Sequence, residues 1–176
     1  MEAQSTENYL GYWLFYAQRC VAHAFAEVLR AHCVECGKPY VITPPQWGVL
    51  SLLHESDGLT VGTISQKRGV DAPTITGIVQ RLEQSGLVER RHSHEDRRVV
   101  KVYLTADGRD IIPSLMDVAQ GFQEVALRGF SQAEQQDFLV KLQQIIANVS
   151  TVAAGTGDRF GLLPDSMLCQ RSEDIS

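Results

Sequence analysis

The stretch from Thr60 to Leu104 is a fixed order of punctuated segments, and it limits the fold more than any other feature of the chain. Thr60 can cap a short helix that runs through Arg68, and Gly69 closes it. Asp71 can cap a second helix, with Pro73 in its first turn. Ile75, Ile78, Val79 and Leu82 then fall on one face at helical spacing, and Gly86 ends the run. Beyond it, "LVERR" and "RVVKVYL" alternate in the manner of strands, joined by the polar "HSHED".

Helices flank this core. Residues 9–32 are helical by pattern, with apolar side chains on almost every face: Tyr9, Leu10, Tyr12, Trp13, Leu14, Phe15, Cys20, Val21, Phe25, Val28 and Leu29. Such a helix is buried on several sides, which in a small protein points to a subunit interface. Gly37 and Pro39 break it within "CVECGKPYVI". In "TPPQ", Thr43 is an N-cap, Pro44 suits the first helical position and Gln46 completes a capping box, with Trp47, Leu50 and Leu53 as the buried stripe. Thr105 caps a long helix whose apolar face is Ile111, Ile112, Leu115, Val118 and Phe122. "SQAE" at 131–134 is a further capping box, opening a helix with Phe138, Leu142, Ile145, Ile146 and Val149. The expected fold is mainly α with a two-stranded β wing. A winged helix-turn-helix spans 43–105, the helices of 8–36 and 106–152 form a dimerisation domain, and 153–176 is a loose tail docked through Phe160, Leu162 and Leu163.

Charge sharpens this reading. The chain carries a formal net charge of -5, yet Lys67 to Lys101 holds eight Lys/Arg against five Asp/Glu. A basic element on an acidic body is the footprint of polyanion binding with repulsion elsewhere. The start, "MEAQSTE", is acidic and polar, unlike a signal peptide, and Tyr9 to Phe25 carries Gln18, Arg19 and His23, so a cytoplasmic protein is expected. Its four cysteines, Cys20, Cys33, Cys36 and Cys169, are then thiols or metal ligands. The sequence contains no phosphate loop and no dinucleotide motif, so catalysis is not expected.

"GLVERRHSHEDRRVVKVYLTADG" resembles the wing of the MarR family of transcription regulators. The shared pattern is Gly-Leu-Val, an Arg at the strand end, Asp-x-Arg at Asp96 and Arg98, then Leu-Thr-x-x-Gly at Leu104, Thr105 and Gly108. "DAPTITGIVQRLEQSGLV" is similar to that family's recognition helix. The resemblance covers residues 43–110 and implies sequence-specific binding of double-stranded DNA by a homodimer. It also implies a response to small aromatic or phenolic acids, metals or oxidants, and it places Asp96 as the residue that orients Arg98.

The helix opening at Asp71 can enter a major groove. With its apolar face inward, Pro73, Thr74, Thr76, Gly77, Gln80 and Arg81 face out. Thr74, Thr76 and Gln80 offer hydrogen bonds to base edges, Pro73 can touch a thymine methyl, and Arg81 and Lys67 can hold phosphates. Small and hydroxyl residues stand where an idle exposed face would carry Glu/Lys pairs. Arg97 and Arg98 sit near the wing tip, within reach of a minor groove, while Arg90 and Arg91 flank it with a partly structural role. His92 and His94 lack a third ligand for a metal. A protein-interaction role for the winged helix is the competing reading, and steep salt dependence separates the two.

Two candidate effector sites compete. Tyr12, Phe15, Tyr16, Arg19 and His23 share one helical face, bordered by Trp47 and His54, and could hold an aromatic carboxylate. Alternatively, "HCVECGK" resembles half a zinc knuckle, its turn aiming Cys33 and Cys36 at zinc or at one another in a reversible disulfide. A complete zinc site needs two more ligands, from His32, His23, Glu35 or Cys169. No resident cofactor is expected.

Overall fold

The computed structural model describes residues 9–93 and 96–155, with side chains through 149. Six helices and a small sheet follow in the order α1 (Leu10–Glu35), α2 (Pro44–Glu55), β1 (Leu59–Thr60), α3 (Val61–Arg68), α4 (Ala72–Gln84), β2 (Val88–His92), β3 (Val100–Leu104), α5 (Ala106–Ala126) and α6 (Gln132–Gly155). The mainly helical winged helix-turn-helix read from the sequence is the fold observed.

Most helix starts rest on the expected caps. The Thr60 hydroxyl accepts from Thr63 N–H at 3.1 Å, Asp71 Oδ1 from Thr74 N–H at 2.9 Å and the Thr105 hydroxyl from Gly108 N–H at 3.0 Å. Gln46 Oε1 accepts from Thr43 N–H at 2.9 Å, and Glu134 Oε2 from Ser131 N–H at 2.7 Å. Gly69 and Gly86 follow α3 and α4 with φ of 62° and 72°, the left-handed region that a Cβ disfavours.

Three boundaries differ from the sequence reading. The sheet has three strands in the order β1-β3-β2, because Leu59 and Thr60 pair with Val102 and Lys101. Two residues are too few to show an alternating pattern. Helix α1 continues through Glu35, with Cys36 as its C-cap and Gly37 at φ 62° just beyond, so Cys33 is helical. Helix α6 runs to Gly155, past the expected start of the tail at Ala153. Phe160, Leu162, Leu163 and Cys169 lie outside the described residues, as does the first residue of the 8–36 span.

One buried cluster ties the elements together. It contains Leu29 and Cys33 of α1, Val49, Leu50 and Leu53 of α2, Ile64 of α3, Ile75, Ile78, Val79 and Leu82 of α4, Val102 and Leu104 of β3, and Ile111, Ile112 and Leu115 of α5. The end of α1 and the start of α5 therefore share the core of the DNA-binding lobe. The outer part of α1 does not: Tyr12, Trp13, Phe15 and Tyr16 are exposed, as are Phe138, Leu139, Val140 and Val149 of α6.

Helix α5 is latched to the hairpin at its first turn. The Thr105 hydroxyl donates to the Gly86 carbonyl at 2.7 Å while accepting from Gly108. A Cβ on Gly108 would stand 2.0 Å from the Leu87 carbonyl oxygen, so only glycine lets the helix approach this closely. This is the physical content of the Leu-Thr-x-x-Gly pattern. Asp57 adds a second tie: Oδ1 accepts from the Leu104 N–H at 2.9 Å, and Oδ2 lies 3.5 Å from Arg109, whose guanidinium also donates to the Leu104 carbonyl at 2.8 Å.

Candidate nucleic-acid interface

Helix α4 presents two unlike faces. Ile75, Ile78, Val79 and Leu82 are buried, while Pro73, Thr74, Thr76, Gln80 and Arg81 are exposed and Gly77 is half-buried. Thr74 donates its hydroxyl proton to Asp71 Oδ2 at 2.7 Å, and Thr76 donates to the Ala72 carbonyl at 2.8 Å. The Thr74 hydroxyl and the Thr74 backbone N–H hold the Asp71 carboxyl below its ordinary value.

Arg81 lies at the edge of this face. It lines a cleft of about 400 Å³ with Pro39, Tyr40, Gln46, Gln84 and Ser85, beside the N-terminal end of α2. A guanidinium next to a helix N-terminus suits a phosphate oxygen. Lys67 is exposed in the last turn of α3, as anticipated for a backbone contact. Its neighbour Arg68 is also exposed, but its guanidinium lies so closely on Gly48 that a Cβ there would stand 2.2 Å from Nη2.

The four arginines of the hairpin separate into two pairs. Arg90 reaches back to α4, donating to the Thr76 carbonyl at 3.3 Å and lying 3.8 Å from Glu83. Arg91 pairs with Glu89 and covers the Tyr103 ring, 5.4 Å from its centroid. Arg97 and Arg98 are exposed at the tip, and among the described residues no carboxylate pairs with either guanidinium.

Asp96 meets Arg98 through the backbone. Its Oδ1 accepts from the Arg98 backbone N–H at 2.9 Å, and its carbonyl from Val99 N–H at 2.9 Å. Asp96 thus shapes the turn that carries Arg98. His92 contributes to the same turn by donating Nδ1–H to the Arg97 carbonyl at 2.8 Å, a role the sequence did not disclose. His94 lies outside the described residues.

The effector candidates are dispersed. Tyr12 and Tyr16 stack with ring centroids 6.2 Å apart, Arg19 lies 5.7 Å from the Phe15 centroid, and these residues and His23 are exposed on α1. Trp47 instead lines a groove of about 530 Å³ with Met116, Gln120, Gln123, Leu127 and Gln135, in which none of the α1 candidates participates. His54 is exposed at the end of α2.

Cys33 and Cys36, the pair of the half-knuckle reading, differ in burial. Cys33 is wholly buried in the apolar core, whereas Cys36 is exposed with Sγ 3.7 Å from His32 Nε2. Among the described residues no three His, Cys, Asp or Glu side chains form a group able to hold a metal. No helix among the described residues is long and apolar enough to cross a membrane.

A buried-faced helix with a polar outer face, buttressed by a hairpin bearing two exposed arginines, defines a winged-helix DNA-binding regulator. Comparison with known proteins gives the family. Residues 42–100 match the MarR family. An uncharacterised helix-turn-helix transcriptional regulator of Bacillus subtilis, YsmB, is 32% identical over 121 residues, which is 67% of this chain and 83% of YsmB. The structure of a MarR family protein from Bacillus stearothermophilus superposes with a TM-score of 0.57 at 31% identity, covering 77% of this chain and 89% of that one. Bordetella bronchiseptica BpsR, whose DNA binding is regulated by 6-hydroxynicotinic acid, superposes with a TM-score of 0.72 at 22% identity, covering 81% and 96%. The chain belongs to the MarR family and is a transcription regulator, not an enzyme.

Proposed function

We propose that the chain is a cytoplasmic homodimeric repressor that binds double-stranded operator DNA through α4 and the wing and is released by a small aromatic ligand. The outer face of α4 carries the DNA reading: the Thr74 and Thr76 hydroxyls bond only to Asp71 and Ala72 at the start of their own helix, a Cβ on Gly77 would meet nothing nearer than Arg81, and Gln80 is exposed beside them. Arg97 and Arg98 extend the same surface toward a minor groove or its phosphates, with Lys67 and Arg81 on the flanking backbone. The exposed aromatic face of α1 and the apolar face of α6 support the dimer, which must hold two α4 helices about 34–36 Å apart to reach successive major grooves.

For the effector, the Trp47 groove supplies an indole, a thioether and three carboxamides beside α5, the helix latched to the wing, together with the Glu124 carboxylate, which an acidic ligand must sit away from. The regulation of BpsR by an aromatic acid supports the ligand class. An acid also needs a cation. Arg19 on α1 is the candidate, although it is not among the groove's lining residues. A ligand lowers operator affinity only by binding the DNA-incompetent arrangement more tightly; a tenfold loss corresponds to about 1.4 kcal/mol. Thiol-dependent release is the second reading, favoured by the exposure of Cys36 beside His32.

The test is selection of bound duplexes from a randomised pool, followed by affinity measurement across a salt series. A DNA reader yields a consensus and a steep salt slope; a protein-interaction module yields neither. Repeating the measurement with 6-hydroxynicotinic acid or hydrogen peroxide separates the switches. Arg19→Ala should abolish the response to the first, and Cys36→Ser the response to the second.

A further inference from the structure

The recognition face of α4 carries two hydroxyls whose protons are already committed. A threonine hydroxyl has one proton to donate and two lone pairs with which to accept. The Thr76 partner is the Ala72 carbonyl oxygen at 2.8 Å, which has no proton, so the threonine must be the donor. The Thr74 partner is Asp71 Oδ2 at 2.7 Å, a carboxylate oxygen that likewise only accepts when ionised. Asp71 stays ionised at neutral pH because Thr74 satisfies it twice, through its hydroxyl and its backbone N–H at 2.9 Å. Both threonines are exposed, so they turn lone pairs outward, not protons.

The major groove presents donors at only two kinds of base atom, the N6 amino group of adenine and the N4 amino group of cytosine. Guanine O6 and thymine O4 are acceptors, and an acceptor facing a lone pair is repelled. We infer that Thr74 and Thr76 read the operator as acceptors, each selecting adenine or cytosine and rejecting guanine or thymine at the base it faces. This rests on the reading of α4 as the DNA-recognition helix and adds the chemical class of base that it selects. The lock is tighter at Thr74, whose partner is charged and caps the helix. Asp71 is therefore a specificity-positioning residue: it fixes the direction of a hydroxyl that it does not itself carry to the DNA.

The test uses duplexes recovered by the full-length chain from a randomised pool. In the recovered consensus, each adenine is replaced in turn by 2′-deoxynebularine, which lacks the 6-amino group. Each cytosine is replaced by the pyrimidin-2-one deoxynucleoside, which lacks the 4-amino group. At one or two positions per half-site the wild-type chain should lose about tenfold in affinity, the low end of what one good base contact discriminates. That loss should vanish in Thr74→Val or Thr76→Val and return in the matching Thr→Ser variant. Valine keeps the shape and the Thr74 backbone cap, and thermal melting checks that each variant is folded. If the sensitive positions instead respond to 7-deazapurines, which lack the N7 acceptor, and valine cancels that response, the threonines donate and the inference is overturned. Recovered duplexes indifferent to both valine variants overturn it as well. If no duplex is recovered at all, the DNA-binding reading of α4 fails, and this inference with it.

Discussion

Gly77→Ala should stabilise the protein and weaken its binding to DNA. Gly77 sits inside α4, where glycine is less favourable than alanine by roughly 0.8–1.0 kcal/mol. Glycine is usually tolerated at such a cost for a positive φ or for a close neighbour. Gly77 has neither: it is absent from the positive-φ glycines, and the nearest atom to an added Cβ is Arg81 Nη1 at 3.9 Å, an ordinary contact. Gly108 shows the contrast, since its Cβ would strike a backbone oxygen at 2.0 Å. The fold therefore does not need Gly77, and the missing Cβ leaves room for something outside the protein. Replacing it should raise the unfolding free energy by about 0.5–1 kcal/mol, or the melting temperature by roughly 1–4 °C for a chain of this size. The same methyl should hold α4 off the base edges in both half-sites and lower operator affinity by about tenfold or more, ~1.4 kcal/mol. Differential scanning calorimetry and fluorescence anisotropy on the selected operator measure the two effects separately. A raised melting temperature with unchanged affinity would refute the close approach of α4 to DNA; a lowered one would refute the claim that the fold has no use for the glycine.

Four further outcomes follow from named contacts. Arg98→Ala, at an exposed tip residue, should leave the melting temperature nearly unchanged while weakening DNA binding, with a salt slope reduced by about one unit per subunit. Asp57→Ala strips the acceptor from Leu104 N–H and the partner from Arg109, and should lower stability by about 1–2 kcal/mol in urea titrations. The Asp71 carboxyl is held below its ordinary value of 3.8 by the Thr74 hydroxyl and then by the Thr74 amide, so its contribution is complete above that value and is lost as pH falls through the lower folded value. The stability difference between wild type and Asp71→Ala should accordingly be constant near neutrality and shrink below pH 3.8. Equilibrium sedimentation at micromolar concentration should give about twice the 19.5 kDa chain mass, and a purely monomeric profile would remove the dimer.

Local chemistry was the legible part of this chain. Thr60, Asp71 and Thr105 each bond a backbone N–H three residues ahead, so sequence spacing alone locates the caps. The inward face of α4 was equally readable because helical periodicity decides it. Long-range pairings left no such trace. Asp57 bonds Leu104 across 47 positions, and Arg90 meets the Thr76 carbonyl across 14, and neither partner's identity is encoded in a spacing rule. The strand of Leu59 and Thr60 exists only because β3 offers a free edge. The setting of the cysteine pair illustrates the same point: where α1 ends decides whether Cys33 faces a turn or the core, and helix ends are the least determined boundaries in a sequence.

The wing and the recognition helix are joined by direct contacts. Arg90 donates from the hairpin to the Thr76 carbonyl and lies near Glu83, so β2 grips α4 along its outer edge. Thr105, Gly108 and Arg109 fix the other side of the hairpin to the start of α5. Under the proposed release by a ligand in the Trp47 groove, a rotation of α5 would be passed through these contacts to the hairpin and α4 together. Base contacts and wing contacts should then be lost together when the regulator is released, with equal proportional weakening on selected and unselected wing-flanking sequence. A ligand that abolished one while sparing the other would require the Arg90–Thr76 contact to break first.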